Sequence, residues 1–190
     1  MWKRMFGRHN SQQEAQSDSQ AQSPEQPVGQ SPRSQTPTVT FQPMTQAEYE
    51  QLRSWMDEDY AQDVAKAMAM SLEEGREAAQ KQFAELLPTG LSSEGHHFWK
   101  ITAPDGAAVG DLWVQIGPAK GRAFIYFIGI DEAFRSKGYG RAAMQALEAE
   151  VRLLGATRID LSVFGDNATA IHLYQSLGYQ IQAMGMRKPI

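Results

Sequence analysis

Ile128–Gly155 reads IGIDEAFRSKGYGRAAMQALEAEVRLLG. The apolar run that begins upstream at Ala123 ends at Ile130. From Gly140 to Leu154 the residues Ala143, Met144, Leu147, Val151 and Leu154 then fall on one helical stripe, with Gly155 placed to stop the helix. A strand therefore hands over to a helix through Arg135-Ser136-Lys137-Gly138-Tyr139-Gly140. A helix N-terminus carries unsatisfied N–H groups and about half a positive charge, so it binds phosphate where the preceding loop lets backbone come close. Gly138 and Gly140 lack the Cβ atoms that would obstruct such a ligand, and Arg135, Lys137 and Arg141 add cationic partners for a diphosphate. Taken alone, a glycine-bracketed turn serves equally well to make a bend. The loop has neither the Gly-Lys-Ser/Thr ending of a Walker loop nor GxGxxG spacing, which disfavours ATP hydrolysis and NAD binding.

Upstream, three strands are expected at His97 to Thr102, Ala108 to Ile116 and Ala123 to Ile130. Pro104-Asp105-Gly106 and the run Gly117 to Gly121 separate them at hairpin lengths, which gives an antiparallel meander. The third strand is apolar on both faces and is expected to be central. Before the meander, Thr38 to Phe41 is β-prone. Thr45 with Glu48 and Ser71 with Glu74 have capping-box spacing, so two helices follow, the second ended by Pro88 and Gly90. After the glycine loop and its helix, a strand is expected at Arg158 to Phe164, a helix at Asn167 to Leu177, and a last strand at Tyr179 to Met186. This order means a mixed α/β sheet rather than a doubly wound one.

From Ser11 to about Thr38 the chain is dominated by Gln, Ser and Pro. Such a segment cannot bury enough apolar surface to offset the entropy of ordering, so residues 1–38 are expected to be a disordered tail and residues 39–190 the domain. Over 190 residues the formal charge is −4, which gives no overall field attractive to nucleic acid. With no cysteine, disulfides and thiolate nucleophiles are excluded. No apolar run approaches the roughly 20 residues that span a bilayer, and MWKRMFGRHN has no following secretory h-region, so no stable membrane insertion and a cytoplasmic location are expected. No ligand cluster for a metal stands out, and Asp131-Glu132 reads as a surface turn.

The loop pattern Arg135-x-x-Gly138-x-Gly140 is followed by Asn167-x-x-Ala170-x-x-x-Tyr174-x-x-x-Gly178-Tyr179. Together they resemble the acetyl-CoA-binding half of the GNAT superfamily of N-acetyltransferases, specifically from Ala123 to the C-terminus and more loosely over Phe41 to Arg122. The resemblance implies a mixed, mostly antiparallel, splayed sheet flanked by helices, with acetyl-CoA as acetyl donor. It implies that the third meander strand is bulged and parts from the next strand, so that backbone groups of Ile128 and Ile130 pair with pantetheine. The amides from Ser136 through Lys137, Gly138, Tyr139 and Gly140 to Arg141 would hold the CoA pyrophosphate, with Arg135 beside them. Asn167 would hydrogen-bond the cofactor and Tyr174 would lie near the sulfur as general acid. Seven residues at about 100° each bring Asn167 and Tyr174 to within roughly 20° on one helix face, about 10.5 Å apart along the axis.

Without cysteine or a GxSxG elbow, direct attack by a primary amine of a small molecule or peptide is the simplest chemistry, with Ile130 N–H as oxyanion donor. The strand AFIYFIGI has no acid where relatives of this kind often carry one, at Phe127 or Gly129, so a GNAT-fold acyl-CoA-binding module with weak or no catalysis is the alternative. Tyr126, His97 and Glu132 are candidate bases. Asp57-Glu58-Asp59 and Asp63 are either a lure for a cationic amine or a solvated helix face. A homodimer is left open.

Overall fold

A computed structural model describes residues 36–117, 121–186 and 188; the expected tail lies almost wholly outside the described residues. Among them is a five-stranded, mostly antiparallel sheet with four helices. The strands are β1 (Thr40–Pro43), β2 (His96–Thr102), β3 (Ala108–Ile116), β4 (Arg122–Ile130) and β5 (Arg158–Leu161), side by side in chain order. The helices are α1 (Gln46–Met68), α2 (Leu72–Leu86), α3 (Tyr139–Leu153) and α4 (Ala168–Ser176). Strands β1 to β4 pair antiparallel, and β4 pairs parallel to β5 across the α3 crossover.

Both expected capping boxes form. Thr45 Oγ1 accepts from Glu48 N–H while Glu48 Oε2 accepts from Thr45 N–H at 2.8 Å, and Ser71 and Glu74 repeat the arrangement at the start of α2. Each box satisfies two orphan donors of a first turn. The sheet divides two cores. On one face α1 and α2 bring Met56 and Phe83 against Phe98, Trp113, Tyr126 and Phe127; on the other α3 brings Met144, Leu147 and Val151 against Ile101, Val109, Leu112 and Ile125.

Two expectations are corrected. The strand after the α3 helix stops at Leu161 instead of reaching Phe164, and no strand forms over Tyr179 to Met186, where residues 180–186 are exposed. The alternation that suggested that last strand slips at Ala183-Met184: Tyr179, Ile181 and Ala183 share one face of an extended chain and Met184 and Met186 the other. The first face goes on to Gly185 and the second begins with Gln180 and Gln182 before the two methionines, so past Ala183 the two faces no longer differ in polarity and burial does not fix a register.

Candidate active site

The site begins with an irregularity in β4. Trp113 pairs with Phe127 and Val114 with Ile125, so β4 spends one extra residue, Tyr126, between two consecutive register positions of β3. A bulge of this kind turns two successive side chains to one face. Tyr126 and Phe127 accordingly both enter the α1/α2 core, whereas Ile125 and Ile128, on either side of them, pack toward α3. Beyond the bulge β4 keeps its pairing with β3 to Ile130, but its pairing with β5 ends at Ile125. Asp131 N–H donates to Val109 O at 2.9 Å. Backbone groups alternate in direction along a strand, so those of Gly129 and Phe127 also face β3, and those of Ile128 and Ile130 face the edge that β5 leaves uncovered.

That edge leads into the glycine loop. Arg135 Nε donates to Ile130 O at 3.1 Å, tying the loop back to the strand end and leaving the Ile130 N–H as the edge group not used in this tie. Lys137 Nζ donates to Ala133 O at 2.8 Å and stands over the Phe134 ring. Ser136, at φ 59°, and Gly138, at φ 87°, turn the chain, and Gly138 is the N-cap of α3 without a side-chain capping bond. A side chain at 138 would be strained in that left-handed backbone, and its Cβ would lie 2.9 Å from Pro37 Cδ. Gly138 thus has a structural reason to be glycine as well as the expected ligand reason. Tyr139 is edge-on to Phe134, at 5.8 Å between ring centroids. Arg141 Nη2 donates to Ser176 Oγ at 2.6 Å, joining α3 to α4.

Asn167 is the N-cap of α4: its Oδ1 accepts from Ala170 N–H at 3.0 Å, which leaves the side-chain Nδ2 outside the cap. At the other end, Gly178 N–H donates to Gln175 O at 3.0 Å and Tyr179 N–H to Tyr174 O at 3.1 Å, with Gly178 at φ 92°. This is a Schellman motif, and it lays the Tyr179 ring against Tyr174 at 5.8 Å between centroids. Burial pushes the Tyr174 hydroxyl up to about 12 and raises that of Tyr179 further. Among the described residues the Tyr179 hydroxyl is buried without a hydrogen-bond partner.

The candidate bases do not all come to this edge. Tyr126 is stacked on Trp113 at 4.5 Å and donates to Gln115 Oε1 at 3.3 Å, one residue inside the splay. His97 lies on β2, two strands away from β4, stacked on Trp99 at 5.1 Å. Glu132 is exposed in the turn after β4. Asp57 is bonded to Arg53 and Glu58 to Arg76 at 3.0 Å, so these two carboxylates of the acidic run serve ion pairs within and between α1 and α2. Two residues were missed from sequence. Asp111, on β3, is the register partner of Gly129 and accepts from Lys100 Nζ at 2.5 Å; register shows this, and a search along β4 alone does not. His96, buried beside Trp113, accepts from Trp113 Nε1 at 2.9 Å through Nδ1; burial lowers its pKa to about 4.

The chain matches the model of the Acetyltransferase (GNAT) family over residues 48–179. It is 36% identical over 153 residues to the uncharacterized N-acetyltransferase YdgE of Bacillus subtilis, covering 80% of this chain and 98% of that protein. It is 32% identical over 155 residues to the uncharacterized N-acetyltransferase YycN of the same organism, covering 80% and 99%. The crystal structure of the YycN protein superposes with a TM-score of 0.74 over 80% of this chain and 99% of that one. A bulged strand parting from its neighbour, a glycine turn at the mouth of α3 and these matches lead to one assignment: the chain belongs to the GNAT family of N-acetyltransferases.

Proposed function

We propose that the protein transfers an acetyl group from acetyl-CoA to a primary amine of a small molecule or peptide by direct attack, in the cytoplasm. The parting of β4 from β5 after Ile125 carries this reading, because it leaves backbone donors and acceptors at an unpaired edge that ends at the mouth of a helix. The residues fit the donor. Ile128 offers a strand-like N–H and C=O, the Ser136 to Arg141 amides and the Lys137 ammonium offer donors for a phosphate, and the Tyr179 hydroxyl is a buried group in want of a partner.

When bound, acetyl-CoA supplies the acetyl group as an activated thioester. The chain's residues do the rest. The Ile130 N–H donates toward the carbonyl oxygen as charge grows there. As the C–N bond forms and the C–S bond breaks, Tyr174, kept protonated by burial, would give its proton to the departing sulfur. The amine nitrogen, which attacks in its neutral form, would lose one proton to water, from which Tyr174 is reprotonated. Asn167 Nδ2 and Tyr174, at opposite ends of α4, hold the extended arm at two points.

Calorimetry tests the donor half. Acetyl-CoA should bind the wild type, and Lys137→Gln should weaken it roughly fivefold, the size of a solvent-exposed ion pair. Lys137 is exposed and leaves the turn intact when shortened, whereas an aspartate at 138 would strain the backbone and strike Pro37. Unchanged affinity would remove Lys137 from the cradle. The binding-module alternative draws on the missing acid at Phe127 and Gly129; here the Phe127 ring folds over Gly129, so that a Cβ at 129 would sit 2.6 Å from Phe127 Cζ.

A further inference from the structure

The chain enters β1 by way of the donor loop. From Thr36 to Phe41 the residues alternate: Thr36, Thr38 and Thr40 are exposed, and Pro37, Val39 and Phe41 are half-buried. In such an extended run each inward residue stands about 6.6 Å from the next. Phe41 stacks on Trp99 at 5.5 Å between centroids, and Val39 packs with it against the α3-side core. Pro37 reaches Gly138. A Cβ at 138 would lie 2.9 Å from Pro37 Cδ and 3.6 Å from its Cγ, so the proline ring fills the place of the missing side chain. Sheet register brings these distant parts of the chain together. Thr40 pairs with Thr102, Thr102 with Ala108, and Gly110 with Ile130, so the start of β1 and the end of β4 lie at one end of the sheet. Pro37 also precedes residue 48, where the family match begins, so this contact lies outside the shared region.

The residue touched is the one in the loop that most needs holding. Gly138, at φ 87°, caps α3 without a side-chain bond, and its carbonyl accepts from Ala142 N–H at 3.0 Å to close the first turn of the helix. Glycine has wide conformational freedom, so nothing in its own chemistry keeps it in that one geometry. Arg135 and Lys137 tie the residues before it to Ile130 O and Ala133 O, which leaves Gly138 itself to be held by packing. Proline suits that task. Its ring fixes φ, it has little side-chain entropy to lose, and beyond the end of β1 its missing N–H deprives no ladder. We propose that Pro37 is a positioning residue for the donor: its ring holds Gly138 so that the free N–H groups opening α3 present one fixed set of donors to the acetyl-CoA diphosphate. Residues 36–39 are then a strap, anchored through Val39 and Phe41, that couples the first strand to the donor loop. The proposal rests on the acetyl-CoA reading for what those N–H groups bind.

Two measurements on the full chain test it. Hydrogen exchange at the Ala142 amide, whose bond closes on Gly138, needs no ligand. Pro37→Gly should speed that exchange about tenfold and leave the Val151 amide, near the other end of α3, at its wild-type rate. Calorimetry with acetyl-CoA and with S-acetylpantetheine, the thioester arm without the diphosphate, reads the consequence. Pro37→Gly should weaken acetyl-CoA about tenfold and leave S-acetylpantetheine unchanged. Pro37→Ala, which keeps a Cβ and loses the ring, should fall between the two. A residue that serves only the fold would lower the melting temperature and weaken both ligands alike, and that result would overturn the proposal. So would an Ala142 exchange rate or an acetyl-CoA affinity that Pro37→Gly leaves unchanged. If Pro37→Gly fails to fold, Pro37→Ala decides on the same two measurements. A wild type that does not bind acetyl-CoA, but whose Ala142 exchange still depends on Pro37, would sink the donor reading and leave the hold on the turn standing.

Discussion

Tyr174, partly buried, and His96, buried, both resist ionisation, yet they serve different ends. Tyr174 stays protonated to about pH 12, so a hydroxyl acting as acid is available across the alkaline range. The rate should therefore climb with pH as the acceptor amine loses its proton, near its ordinary value of about 10, without falling again below that point. A descending limb centred below pH 9 would contradict the role. Tyr174→Phe should lower kcat roughly a hundredfold while acetyl-CoA affinity holds; equal turnover would leave the hydroxyl a packing partner of Tyr179. His96 is a matter of stability. It takes a proton only near pH 4 when folded and near pH 6.5 when unfolded, so the unfolded state binds more protons between those values. Stability is full above pH 6.5 and is lost as pH falls toward 4, by up to about 3 kcal/mol. Urea midpoints at pH 7 and 4.5 should diverge in the wild type and converge in His96→Gln, which has no proton to gain. Equal divergence in both would clear His96 of the effect.

At the scale of elements, the parts legible in sequence were those with local causes. A capping box is three residues long, and Thr45 and Ser71 begin helices where their spacing said they would. The Schellman turn at Gly178 needs one left-handed residue at a helix end, which glycine announces. The bulge at Tyr126 has no such mark in AFIYFIGI. It exists because of how β4 registers on β3, and only the resemblance to a family pointed to it. Asp111 escaped for the same reason: it meets Gly129 across a ladder, 18 positions away in the chain. The last strand was misjudged where alternation was weakest, at Ala183-Met184. The bulge also carries a prediction. Removing Tyr126 would restore a regular ladder with Ile125 and Phe127 on alternate faces, leave Ile128 and Ile130 where they are, and take away the local bend and twist that turn the end of β4 from β5. Acetyl-CoA binding should be lost in that deletion while far-ultraviolet circular dichroism keeps its α/β form. Retained binding would show that the edge does not depend on the bulge.

For the molecule as a whole, the sheet separates two tasks. The α3 face and the β4–β5 gap gather the glycine loop, Asn167, Tyr174 and Tyr179, and this half was readable because its motif residues lie close along the chain. The α1/α2 face gathers Trp55, Phe127, Lys100 and Asp111 from separate elements, and no short motif records them. The central claim is that the two halves meet in a transfer reaction. It is tested most directly by following release of the free CoA thiol from acetyl-CoA as amines are added. The account predicts release that depends on the amine, saturates with it and drops sharply in Tyr174→Phe. Tight acetyl-CoA binding with no amine-dependent release would contradict it and leave a binding module in its place.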